Sequence, residues 1–198
     1  MSVQATDADL NRTILYSLEG SDETLRLLEM DAETGDISAR QRIDRERVNW
    51  LNMTVRATDS GFPPRSSFAH VFVSVVDEND NAPAFSSDLY EVAVSEAVGP
   101  HTDLVQVVAT DPDLGSNGEV SYSFGERSRR LARLFSVDPH TGWVSTQGAL
   151  DFERRRQYDL EVVAADNGGN GGLKSTAKVI CKLPTDSMNS THIISGKP

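Results

Sequence analysis

The sequence predicts an all-β protein of two tandem antiparallel sandwiches, and three observations predict it. The chain repeats itself: Ala5-Thr6-Asp7-Ala8-Asp9-Leu10 returns as Ala109-Thr110-Asp111-Pro112-Asp113-Leu114, and Asp31-Ala32-Glu33-Thr34-Gly35 returns as Asp138-Pro139-His140-Thr141-Gly142, at a period of about 107 residues. Within each copy the apolar period is 2, as in Val71, Val73, Val75 and in Leu160, Val162, Ala164, which is the signature of half-buried strands. Turn signals then divide these runs at short intervals, and nothing reads as a long helix.

Along the chain the elements follow in the same order twice. Asn11 and Tyr16 return as Asn117 and Tyr122; Asp44-Arg45-Glu46 returns as Asp151-Phe152-Glu153; Ala57-Thr58-Asp59 returns as Ala164-Ala165-Asp166. Thr34-Gly35, Asp59-Ser60-Gly61, Pro63-Pro64, Thr141-Gly142 and Asn167-Gly168-Gly169 supply the turns. Tyr90, Val92 and Val94 alternate in the first strand of the second copy. Trp50 and Trp143 fall in strand-like segments, where core packing is the expected role. The copies meet near residue 82, so residues 1–81 form a first repeat, 82–185 a second and 186–198 a disordered tail.

The chain has 198 residues, 30 acids against 19 bases and a net charge of −11, which disfavours nucleic acid and anionic membranes as partners and favours cations. One cysteine, Cys181, rules out an internal disulfide framework and reads as a small strand hydrophobe. No apolar run nears the roughly 18 residues of a membrane span, and Met1 to Gly20 has no signal-peptide pattern. Three Asn-x-Ser/Thr sequons, at Asn11, Asn52 and Asn189, permit glycosylation of a secreted chain; Asn52 lies in a strand and Asn189 in the tail.

Between the copies, Asp77-Glu78-Asn79-Asp80-Asn81 crowds three acids and two amides into five residues before Ala82-Pro83. So many oxygens need bulk water or a hard cation, and Ca²⁺ takes roughly 6 to 8 oxygen ligands. A solvated acidic turn is the plain alternative. What separates the two is that the acids themselves are repeated: a repeated hydrophobic reports a repeated fold, whereas repeated Asp-x-Asp, Asp-x-Glu and a lone Asp after a strand report a repeated site. An EF-hand is excluded, since its sixth position would be Ala82 in place of glycine and no helices flank it.

Asp-x-Asn-Asp-Asn-Ala-Pro between copies carrying Asp-x-Asp, Asp-Arg-Glu and Ala-Thr-Asp resembles the extracellular repeats of the cadherin superfamily over about residues 3 to 183. The wording Asp77 to Phe85 is most similar to Fat, Dachsous and protocadherin members. The resemblance implies seven-stranded Greek-key, immunoglobulin-like sandwiches with three Ca²⁺ ions at each junction. It makes Asp44 and Glu46 ligands from the first copy, Asp77, Asn79 and Asp80 side-chain ligands of the linker, and Glu78 and Asn81 carbonyl ligands. From the second copy it assigns Asp111, Asp113 and Asp166 as carboxylates and Asn117 as a carbonyl donor. The family's opening glutamate is present in the second copy as Glu96, but its counterpart in the first would precede Met1. The first copy is thus expected to lack its N-terminal strand and that ligand. The ion nearest the second copy, on Asn79, Asn81, Asp111, Asp113, Asn117 and Asp166, is expected intact; the one left with Asp44, Glu46 and Asp80 is expected weak. Asp7, Asp9, Asn11 and Asp59 at one end, with Glu96, Asp151 and Glu153 at the other, are half-sites.

The function so implied is a calcium-dependent cell–cell adhesion module, homophilic, cut from a longer receptor at the extracellular side of the plasma membrane. Its partner would be a cadherin-type ectodomain on an apposed cell, of the same or another kind, with no small-molecule substrate and no membrane contact except through an anchor outside this chain. A non-adhesive secreted signalling or decoy ectodomain is the alternative. Hydrolysis by paired carboxylates, Asp111 with Asp113 or Asp44 with Glu46, is a third class, disfavoured because these acids recur at a repeat period instead of meeting in one pocket.

Overall fold

The computed structural model describes residues 1–9, 13–167 and 172–184. The chain divides into two compact units, Met1–Asp77 and a second beginning at Glu78. The expected tail, 186–198, with Asn189 and the Thr185 boundary, lies outside the described residues, as does Asn11.

In the second unit, β6 (Ala84–Phe85) and β7 (Leu89–Ala93) open the repeat. They are followed by β8 (Asp103–Gln106), β9 (Ala109–Thr110), β10 (Ser121–Phe124), β11 (Phe135–Val137), β12 (Trp143–Thr146), β13 (Gln157–Ala165) and β14 (Lys174–Lys182). One sheet runs β10-β13-β14-β7 and the facing one β11-β12-β8, while β6 pairs with β9. The entering strand is therefore shared: β6 lies antiparallel to β9, whereas β7 runs parallel to β14 in the register Leu89↔Lys178 to Ala93↔Lys182. With β6–β7 and β8–β9 each counted as one interrupted strand, the unit has the seven expected. Its core is one cluster in which Phe135, Val107, Val144, Val162, Val179 and Cys181 are fully enclosed, and the ring of Phe135 meets Tyr158 edge-on at 5.3 Å.

The first unit repeats this plan with β1 (Ile14–Gly20), β2 (Leu28–Met30), β3 (Ile37–Ala39), β4 (Trp50–Asp59) and β5 (Ser66–Ser74). A short helix, α1 (Asp22–Leu27), precedes β2, capped by the Ser21 hydroxyl accepting from the Thr24 N–H. Its sheets are β1-β4-β5 and β2-β3, and no described strand stands to β5 as β7 stands to β14. The effect on packing is direct. Ala177, Val179 and Cys181 of β14 are buried, but their counterparts on β5 are exposed at Ala69 and half-buried at Val71 and Val73.

Both units share one turn. Asp31 Oδ1 accepts from the N–H groups of Glu33 and Thr34, at 2.9 and 2.8 Å, and Asp138 Oδ1 accepts from His140 and Thr141, at 3.0 and 2.7 Å. These bonds hold both carboxyls below the usual aspartate range, Thr34 and Thr141 being the main causes. Gly35 and Gly142 follow at φ 72°, and a Cβ on either would stand 2.2 Å from the carbonyl oxygen of Val3 or Val107.

The tryptophans depart from expectation. Trp50 is 65% exposed and Trp143 36%, so neither is a core residue. In β4 the inward parity belongs to Leu51, Met53 and Val55, which places Trp50 on the outer face.

Two outcomes check this packing. Gly142→Ala is expected to destabilise by about 2 kcal/mol or more, from positive φ and carbonyl overlap together, measured by urea unfolding. Burial pushes the Cys181 thiol up from 9.0 to about 12, so the native protein should resist a thiol reagent at pH 8 and react on unfolding. Because the folded value is raised, the stability that the neutral thiol contributes should be fully present below pH 9 and lost as pH rises towards 12.

Candidate metal centre

Each Asp-x-Asp loop begins where the backbone is pinned by a tyrosine, at Ala109 of β9 in the second unit and at Ala5 in the first. Tyr122 Oη accepts from the Ala109 N–H at 2.8 Å and donates to the Ala109 carbonyl at 3.3 Å, and Tyr16 Oη accepts from the Ala5 N–H at 2.9 Å. Two residues on, Asp111 Oδ1 accepts from the Asp113 N–H at 3.0 Å, and Asp7 Oδ1 from the Asp9 N–H at 2.9 Å. One oxygen of the first aspartate thus shapes the loop; in the second unit the second aspartate, Asp113, is buried, whereas Asp9 in the first is exposed. The tyrosines are positioning residues that the acid pattern did not expose, although their recurrence at the repeat spacing was visible.

Asp113 is 6% exposed, and its carboxylate is met by the linker: the Asn81 N–H reaches Oδ2 at 3.1 Å and Asn81 Nδ2 reaches Oδ1 at 2.7 Å. Among the described residues no lysine, arginine or histidine forms an ion pair with Asp113. Asn81 Nδ2 also donates to Asp80 Oδ1 at 2.9 Å, and carboxylate oxygens of Asp80 and Asp113 lie within 4.8 Å of each other. Asp166, at the end of β13 and also 6% exposed, accepts from Asn79 Nδ2 at 3.2 Å and from the Leu173 N–H at 2.9 Å. Asp111 and Asn117 are half-buried beside them in sequence, the latter ending a 3₁₀ turn over Gly115–Asn117. A buried carboxylate without a cationic partner, facing a second acid, is electrostatically costly. Oxygen-only donors at this density fit a hard divalent cation, and the set Asn79, Asp80, Asn81, Asp111, Asp113, Asn117, Asp166 belongs wholly to the second unit.

Within the first unit, Asp44 Oδ1 accepts from the Glu46 N–H at 2.9 Å and the Arg47 N–H at 3.3 Å, a turn that leaves Asp44 and Glu46 exposed. Arg45 between them forms ion pairs with both Glu46 and Asp77. A guanidinium therefore stands among donors expected to serve a metal, a role that a solvent-facing reading of Arg45 would not suggest. Glu78 is exposed and its carbonyl accepts from the Asp80 N–H at 3.0 Å.

The half-sites are also recognisable. Asp59 Oδ1 accepts from Gly61 and Arg65 at 3.0 and 2.8 Å, as Asp166 does from Leu173, and Asp7 Oδ2 is buried without a hydrogen-bond partner. In the second unit Glu96 Oε2 accepts from the Phe152 N–H at 3.0 Å, beside Asp151 and Glu153 in sequence.

The arrangement has known counterparts. The family model for the cadherin domain matches residues 1–76 and 90–183. The chain belongs to the cadherin family. Human Protocadherin gamma-B6 is 35% identical over 195 residues, 96% of this chain and 21% of that protein. Human Protocadherin Fat 4 is 40% identical over 172 residues, 85% of this chain and 3% of the relative. Among solved structures, mouse Cadherin-23 EC22-24 superposes with a TM-score of 0.84 at 33% identity, covering 93% of this chain and 58% of that one. Protocadherin gammaB7 EC3-6, described as a cis-dimer, gives 0.78 at 32%, covering 90% and 43%. The chain spans about a fifth of the length of the gamma-protocadherin relatives it matches. Cadherin repeats are adhesion ectodomains and not enzymes, which disposes of the paired-carboxylate hydrolase.

Tyr122→Phe, which leaves the Ala109 N–H without its acceptor, is expected to lower stability by about 1–2 kcal/mol, read from urea unfolding in chelator.

Proposed function

We propose that this chain is a calcium-binding pair of cadherin repeats, residues 1–81 and 82–185, from an adhesion receptor displayed on the extracellular side of the plasma membrane. The observation that carries the reading is Asp113: a buried carboxylate held by amide N–H donors, within 4.8 Å of the Asp80 carboxylate and without an ion pair to a cationic side chain among the described residues. In this reading Asn79, Asp80, Asn81, Asp111, Asp113, Asn117 and Asp166 hold Ca²⁺, while Asp77, Glu78, Asp44 and Glu46 extend the donor set towards the first repeat. What the ion supplies is counter-charge. Like charges at about 4 Å repel by on the order of 1 kcal/mol per pair even in water. The residues orient the ion and tie the linker to the second repeat through Asn79 and Asn81. A calcium-stiffened linker then presents adhesive surfaces to another cadherin ectodomain, homophilically. The match to protocadherins, one of them solved as a cis-dimer, supports the partner class.

Extracellular modules bind Ca²⁺ at roughly 10⁻⁴ to 10⁻³ M, which suits extracellular calcium. At about 10-fold excess over Kd a native-state ligand adds about 1.4 kcal/mol. The melting temperature should therefore rise by several degrees from chelator to millimolar Ca²⁺, and Asp113→Ala should blunt the rise. No shift in the wild-type chain would overturn the metal reading. Calcium-dependent aggregation of cells displaying the chain tests adhesion; binding of Ca²⁺ without aggregation would favour the non-adhesive alternative.

A further inference from the structure

The outer face of the first unit's β1-β4-β5 sheet is unlike that of the second. In the register of β4 with β5, Trp50 faces Ser74, Asn52 faces Phe72, Thr54 faces His70 and Arg56 faces Phe68. The same positions on β13 and β14 pair Gln157 with Lys182, Asp159 with Ile180 and Glu161 with Lys178, a charged surface on which Lys178 Nζ lies 3.6 Å from Asp159 Oδ1. In place of those charges the first unit shows Trp50 at 65% exposure and Phe72 at 71%. Neither ring serves the core, since the inward parity is held by Leu51, Met53 and Val55 on β4. Exposed aromatic residues clustered on one sheet face are the kind of surface that marks a binding or covering site.

The same face carries one. Asn52-Met53-Thr54 is a sequon, and strand alternation turns Asn52 and Thr54 to the side that bears Trp50 and Phe72. Asn52 is exposed, and Phe72 lies directly across the strand, about 5 Å away between Cβ atoms. Trp50 is two residues back on the same strand, about 7 Å. A shallow depression lined by Glu19, Asn52, Thr54, His70 and Phe72 runs along this line. Phe68, further along β5 and 60% exposed, has a guanidinium partner in Arg56, whose carbon sits 5.9 Å from the ring centroid. The aromatic surface beside Asn52 is the part that carries both the sequon and the depression. A pyranose has an apolar C–H face and a polar rim, which matches a flat ring bordered by Glu19 and His70.

We propose that Asn52 carries an N-linked glycan whose first N-acetylglucosamine lies on Phe72, flanked by Trp50. In the transfer, Asn52 Nδ2 forms a bond to C1 of the sugar as the C1–O bond to a lipid diphosphate breaks. The amide gives up one proton to a base, and the lipid diphosphate leaves. The donor is a lipid-diphosphate-linked oligosaccharide of the secretory pathway, so the inference rests on the extracellular reading of the chain. The glycan stands at the position that Asp159 and Ile180 hold in the second unit, and it covers an aromatic face that would otherwise meet water.

The test expresses the full chain behind a cleavable secretion signal in animal cells and counts only molecules whose signal has been removed. Peptide mapping is expected to find Asn52 glycosylated, and Thr54→Val to abolish it. Trimming the glycan to one sugar should leave the melting temperature unchanged, whereas complete removal should lower it by about 4 °C. In Phe72→Ser, still glycosylated, the two treatments should give the same melting temperature. Unmodified Asn52 in signal-cleaved molecules overturns the site. An occupied Asn52 whose complete removal leaves the wild-type melting temperature unchanged overturns the packing. A calcium titration on the same material reports separately on the metal reading, so the two failures are distinguishable.

Discussion

One oxygen of nearly every repeated aspartate accepts a hydrogen bond from a nearby backbone N–H, and the rest of the architecture follows from that bond. Asp31 and Asp138 close the turn before a left-handed glycine, Asp59 and Asp166 join the end of one long strand to the start of the next, and Asp111 aims Asp113. Asp, with its short side chain and ionised acceptor, suits these positions better than Glu, whose extra methylene moves the acceptor off the turn. The carboxylate so fixed keeps its second oxygen in a defined direction. Loop geometry and the direction of the remaining carboxylate oxygen are therefore set by the same residues, and an acidic arrangement can recur at the repeat period without a separate scaffold.

Much of this was legible in the sequence. The repeat, the strand periodicity and the acidic positions all lie in residue types at fixed spacing, and two of the recurring acids, Asp166 and Asp113, are the ones to which Asn79 and Asn81 donate. The tryptophans were not legible, because alternation defines two faces without saying which is inside. The choice in β4 is made by Leu51, Met53 and Val55 jointly, and one large aromatic does not outweigh three aliphatic side chains. Nor was the ion pairing of Arg45 with Glu46 and Asp77 legible, since it depends on where the chain returns more than thirty residues later.

The two units also form an internal control for strand pairing. Their third sheet pairs have the same register, β4 with β5 and β13 with β14, yet burial differs: β14, flanked on both sides, encloses its apolar face, and β5, flanked on one, leaves it part-open. Side-chain chemistry is nearly the same at Ala69 and Ala177 or Val71 and Val179. Apolar residues on a strand thus become core through the neighbouring strand, and their hydrophobicity alone does not decide it.

The parallel pairing of β7 with β14 joins segments roughly ninety residues apart, the first and last of the second repeat. Such a contact closes a long loop, so its entropy cost falls before its packing is gained. During synthesis β7 emerges first and has no partner until β14 has followed. The hairpin β13–β14, local in sequence, can form without it. The order of events written into this topology is thus hairpin first and opening strand last, and the repeat becomes a closed sandwich when its final strand is available.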